Sequence, residues 1–120
     1  MSRVVHFEIL ASDPERSAAF YQEVFGWTSS SWNGPQRYWA LTTGPEGTAG
    51  INGAVMHKHF PQPVVNTIEV PSIDDALARI ERAGGRKLHG PNHIPNVGTV
   101  AYCSDVDGTI FGIIQTQPGP

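Results

Sequence analysis

Cysteine is nearly absent from this chain: Cys103 is the only one in 120 residues. An internal disulfide is therefore impossible, and a four-cysteine zinc site is excluded. Charge is sparse too, with 16% charged residues, a net charge of −3 and no basic block. That argues against a nucleic-acid surface, which needs clustered lysine and arginine. No apolar run approaches the roughly 20 residues of a membrane-spanning helix. The opening MSRVVHFEIL lacks the apolar stretch and cleavage site of a secretory signal. These features lead us to expect a cytoplasmic protein without nucleic-acid or membrane partners. An apolar content of 39% suits a globular chain.

What is present is a repeat. VVHFEILASDPERSAAFYQEVFGW begins at Val4, and VVNTIEVPSIDDALARIERAGGR begins at Val64. Each opens with a strand-like run and reaches a serine, Ser12 or Ser72, with Glu15 or Asp75 three places on, the spacing of a helix capping box. In the second segment Ile73, Ala76, Leu77 and Ile80 fall on one helical stripe; Ala19, Phe20 and Val24 do so in the first. Gly26 and the pair Gly84–Gly85 supply the stops.

Strand candidates follow each helix: about 27–32, RYWALTT and INGAVMH, then RKL, GTVAYCS and TIFGIIQ. NGP, GPEG, GPNHIPNVG and DVDG separate them as turns or loops. The expectation is one α+β domain over residues 1–120, built from two βαβββ modules. Module 1 covers about 1–59, HFPQP provides a linker at about 60–63, and module 2 covers about 64–117. The internal alignment sets His6 over Asn66, Ser12 over Ser72 and Gly53 over Gly112.

The stretches HFEILASDPERSAAFYQEVFGW, GINGAVM, VNTIEVPSIDDALARIERAGG and IPNVGTVAYCSDVDGTIFGIIQ span nearly the whole chain. Together they resemble the vicinal oxygen chelate superfamily of glyoxalase I, bleomycin-resistance proteins and extradiol dioxygenases. The resemblance is nearest to its short, glyoxalase-like bacterial members. It implies that the paired modules curve into an open sheet, two half-barrels, around a cavity. It also implies a homodimer, and a divalent metal held by His, Glu or Gln on the first and last strands of each module. His6 occupies the first-strand position. Asn66, Gly53 and Gly112 fall at the other three and offer no comparable ligand. A lone imidazole does not hold a divalent ion tightly. No cofactor is therefore expected, a weakly held metal at His6 being the one exception weighed.

Candidate site residues follow. In VVHFEI, His6 and Glu8 alternate along a strand and share a face. They are the candidate catalytic pair, one of them a general base tuned toward neutrality by burial. A buried, hydrogen-bonded structural pair is the alternative. Trp39, Asn66, His93 and Tyr102 are the candidate ligand-binding residues, with His93 on a loop at the rim and the two aromatics as cavity walls. His57 and His59 read as solvated. Cys103 reads as a small core residue. DVDG reads as a tight turn, because a calcium loop needs a glutamate where Thr116 stands.

Three functions compete. The first is an enzyme on a small polar organic substrate without a tightly bound metal; the resemblance alone suggests lyase, isomerase or dioxygenase-related chemistry. The second is a homodimer that binds or sequesters a small molecule such as a drug. The third is a structural or regulatory dimer with a vestigial pocket.

Overall fold

A computed structural model describes residues 2–32 and 38–116 of the chain. The expected NGP turn lies outside these residues. Among the described residues eight strands and two helices form in the order β1 (Arg3–Ala11), α1 (Pro14–Phe25), β2 (Thr28–Trp32), β3 (Tyr38–Thr42), β4 (Gly53–His57), β5 (Val64–Glu69), α2 (Ile73–Arg82), β6 (Arg86–Ile94), β7 (Gly98–Ser104) and β8 (Ile110–Thr116). This is a mixed α+β protein with the βαβββ order occurring twice. Two compact units result: residues 6–65, and residues 66–116 together with 2–5.

Both units have the same strand order. In the first, β1 lies parallel to β4, followed by antiparallel β3 and β2. In the second, β5 lies parallel to β8, followed by antiparallel β7 and β6. A parallel pair needs a long crossover, and each helix with the two strands after it supplies one.

The helix ends show how the sequence sets these crossovers. α1 is capped by Asp13, whose Oδ1 accepts from the Arg16 N–H at 3.2 Å. The capping box expected at Ser12 is thus displaced by one residue: Pro14 takes the first helical position, which fixes its neighbour Asp13 as the cap. α1 stops at Gly26, in the left-handed conformation at φ 74°, with its N–H on Gln22 O. α2 is capped by Ser72, as expected, through the Asp75 N–H at 3.2 Å. The Gln115 side chain also accepts from the Ile73 N–H at 2.8 Å, which ties the start of α2 to β8.

Each unit packs one sheet face on its helix. In the first, Ala18 of α1 is buried with Trp39, Leu41 and Val55, while Phe7, Ile9 and Ala11 lean on the same cluster. In the second, Val70, Ile73, Ala101, Cys103 and Ile113 form the core, joined by Ile68, Leu77 and Ile80. Cys103 is fully buried there, as the sequence suggests, and burial pushes its thiol pKa up, against a smaller opposing effect of Lys87.

The stretch around His93 differs from expectation. GPNHI belongs to β6 rather than to a loop. The strand survives two prolyl and glycyl interruptions because its pairing with β7 shifts register between Lys87 and His89 and again between His89 and Asn92. DVDG is a turn: Asp105 Oδ1 accepts from the N–H groups of Asp107 at 2.8 Å and Thr109 at 3.0 Å.

Candidate functional site

Cross-strand partners share a sheet face, so the registers sort every strand residue into a helix-packed face and a helix-free face. Phe7 and Ile9 of β1 pack toward α1. His6, Glu8 and Leu10 alternate with them and fall on the helix-free face. Both candidate catalytic residues are half-buried. Glu8 stands opposite Ala54, and Ala54 opposite Ala40. One row on, Leu10 stands opposite Met56, and Met56 opposite Tyr38. A carboxylate thus heads a row of small side chains, bordered by a row of large ones. Burial holds the His6 pKa below its ordinary value of 6.5, which favours the neutral imidazole.

Trp39 is not on this face. It is 9% exposed and packed with Ala18, Leu41 and Val55 against α1. The correction has a simple cause: Tyr38 and Trp39 are adjacent, and alternation alone does not say which of two neighbouring aromatics faces the helix.

In the second unit, Ile68 and Val70 pack with the core under α2. Asn66 alternates with them and is exposed on that side, while Val65 and Thr67 are buried on the other. Asn66 is therefore a second correction. The repeats match at a spacing of 59 along their first strands and caps, with Ile9 over Ile68 and Asp13 over Ser72. The counterpart of His6 becomes Val65, and that of Glu8 becomes Thr67. Ala54 replaces Gly53 as the counterpart of Gly112, since Glu8 pairs with Ala54 and Thr67 with Gly112. The first segment has one residue more between its Val-Val opening and its cap (Val4 to Asp13) than the second (Val64 to Ser72), which the shared opening concealed.

Tyr102 pairs with Gly112 on the helix-free face of the second unit. His93 pairs with Thr99, on the side that carries Ala101 and Cys103, and is exposed. His89, not singled out from sequence, pairs with Tyr102 on the helix-free face. Only the register shifts in β6 reverse the two histidines, and no sequence signal marks those shifts apart from Gly90–Pro91.

The residues present do not fit the superfamily's divalent metal. The four strand positions hold His6, Ala54, Val65 and Gly112, one donor among them. Among the described residues no group of three His, Cys, Asp or Glu side chains is placed to hold an ion.

A sequence model of the Glyoxalase/Bleomycin resistance protein/Dioxygenase superfamily matches residues 3–113. The chain is 31% identical over 118 residues to proteins of Mycobacterium bovis and Mycobacterium tuberculosis named "Putative glyoxylase CFP32". That match covers 92% of this chain but 43% of the relatives, so the chain spans less than half of their length. Among solved structures, a hypothetical protein of Bacillus halodurans aligns over 99% of this chain and 97% of its own, with a TM-score of 0.76 at 12% identity. Methylmalonyl-CoA epimerase of Mycobacterium tuberculosis aligns over 96% and 88%, with a TM-score of 0.71 at 13% identity. The Streptomyces coelicolor epimerase with 2-nitronate-propionyl-CoA aligns over 97% and 98%, with a TM-score of 0.73 at 14% identity. These structural likenesses concern the fold.

Proposed function

The chain belongs to the Glyoxalase/Bleomycin resistance protein/Dioxygenase superfamily, and from that membership we propose that it is an enzyme acting on a small polar organic molecule without a tightly bound metal. The observation that carries this reading is the half-buried pair His6 and Glu8 on the helix-free face of β1, beside the small residues Ala54 and Ala40. Polar groups on such a face stabilise the protein only when they find partners. The short side chains beside the pair leave room for a small ligand across it.

The chemistry that suits this pair is proton transfer at carbon. A Glu8 carboxylate takes a proton from a carbon next to a carbonyl, and the electron pair moves onto the carbonyl oxygen as an enolate. Return of the proton gives an isomerised or epimerised product. His6, kept neutral by burial, is a second hydrogen-bonding group on the same face. The epimerase names among the structural neighbours agree with this class of reaction. The superfamily's homodimeric habit extends the proposal to a dimer in solution, which light scattering tests directly.

The experiment is a thermal-shift and calorimetric screen of small acids, aldehydes and aromatic antibiotics against wild type, His6→Ala and Glu8→Gln. Hits are then followed by NMR for exchange of substrate C–H with deuterated solvent. Binding weakened in both variants, with exchange lost in Glu8→Gln, supports the enzyme. Binding without exchange favours a sequestering protein, and equal binding in all three proteins puts the ligand elsewhere.

A further inference from the structure

The helix-free face of the second unit carries its own polar row. Thr67 stands opposite Gly112, Gly112 opposite Tyr102, and Tyr102 opposite His89. Gly112 contributes no side chain, so the row has a slot at its centre. A Cβ built on Gly112 would meet Thr67 first: its three nearest atoms are Thr67 Oγ1 at 3.0 Å and Thr67 Cβ and Cγ2 at 3.6 Å each. The Thr67 hydroxyl therefore points at the slot.

Thr67 is only 7% exposed. Among the described residues no hydrogen bond of its hydroxyl is found, and no fully shielded side-chain polar atom lacks a partner. The oxygen is thus not fully shielded: it has no protein partner among the described residues and stays open to a molecule at the slot.

We propose that this slot is a subsite for the carbonyl oxygen of a small neutral carbonyl compound, which accepts a hydrogen bond from the Thr67 hydroxyl over Gly112. A neutral oxygen is preferred to a carboxylate because Glu69 lies on the same face one row along, opposite Ile114. Its charge disfavours an anion. Tyr102 supplies a flat wall and His89 an exposed polar edge on the same row. Thr67 occupies in this unit the place that Glu8 occupies in the other, so each helix-free face presents one polar group above a small residue. The proposal rests on the reading that these faces carry ligand.

Hydroxyacetone is the probe, with propane-1,2-diol, its carbonyl reduced, as the control. Both are titrated into the ¹⁵N-labelled protein, wild type and variants. Hydroxyacetone is expected to shift the Gly112 and Thr67 amides saturably, and the diol to shift them less. Thr67→Val removes the hydroxyl at nearly constant shape, so affinity is expected to fall roughly 3- to 10-fold while thermal stability holds or rises. Thr67→Ser is expected to restore binding, and Gly112→Ala to close the slot. Unmoved Gly112 and Thr67 amides overturn the proposal, as does unchanged affinity in Thr67→Val. The two readings fail differently. Binding that depends on Glu8 but not on Thr67 sinks this subsite. Binding that depends on Thr67 but not on His6 or Glu8 supports the subsite and sinks the proposed catalytic pair.

Discussion

Gly53→Ala should be the most damaging single-methyl addition in the first unit, and the geometry says why. A Cβ at Gly53 would lie 2.5 Å from the Phe7 carbonyl oxygen and 2.5 and 2.6 Å from two carbons of its ring. The ring could turn, at the expense of its packing beside Val55 and Trp39. The carbonyl belongs to the β1–β4 pairing, where Phe7 is the partner of Gly53, and cannot move without opening the ladder. Overpacking of this kind costs about 1–3 kcal/mol, and the backbone clash puts this site at or above the upper end. For a domain of this size about 3 kcal/mol lowers Tm by roughly 10–15 °C. Gly112→Ala is the matched control, because its new methyl meets only the Thr67 side chain, at 3.0 Å. That neighbour can yield by a few tenths of an ångström, so a loss of about 1 kcal/mol or less is expected. Calorimetry on both variants decides the matter. Equal losses, or a larger loss in Gly112→Ala, would refute the assignment of the two glycines to different sheet faces.

Three further expectations are simpler to test. Asp13→Ala should lower stability by about 1 kcal/mol and Ser12→Ala by much less, because Asp13 provides the α1 cap; urea melts of the two variants measure the contrast. Protein prepared without added metal should hold far less than one equivalent of Ni, Zn, Fe or Mn per chain, and elemental analysis finding a near-stoichiometric ion that vanishes in His6→Ala would revive metal chemistry. Burial depresses the His6 pKa, so below about pH 6.5 the unfolded chain binds the proton more readily than the folded one. Stability should accordingly be lost as pH falls from 6.5 through the lowered folded pKa, and the loss should be smaller in His6→Gln when melts are compared across that range.

The architecture was readable in the sequence because it is written redundantly. Capping residues, apolar stripes and glycine stops coincide at both helices, and the whole pattern occurs twice. Ser72 and Gly26 take their cap positions from local chemistry alone. The strand that departs from the sequence expectation, β6, is the one whose pairing is interrupted by register shifts around Gly90–Pro91. Glycine and proline there signal a loop by every local rule, and only the partner strand β7 holds them in a sheet.

Site residues were harder to read because a strand carries information with a period of two, and an error of one residue exchanges its faces. The two first strands share Val-Val openings, which aligned His6 with Asn66; the caps Asp13 and Ser72 align it instead with Val65. The difference is one residue, yet it moves Asn66 to the helix-packed side and brings Thr67 onto the opposite face. His6 and Glu8 escaped this ambiguity because Phe7 and Ile9 between and beside them are unmistakably apolar and claim the helix side. Thr67 had no such frame: Asn66 and Thr67 are both polar, and nothing in VVNTIE says which is buried. Burial of Thr67 follows from tertiary packing, with Val65 beside it at 0% exposure and Gly112 making room for its hydroxyl. Gly112, which offers no ligating side chain, thus leaves the Thr67 hydroxyl facing it. A metal cation and a hydroxyl donor both stabilise negative charge on a carbonyl oxygen, so the proposed subsite calls on a neutral donor for that role.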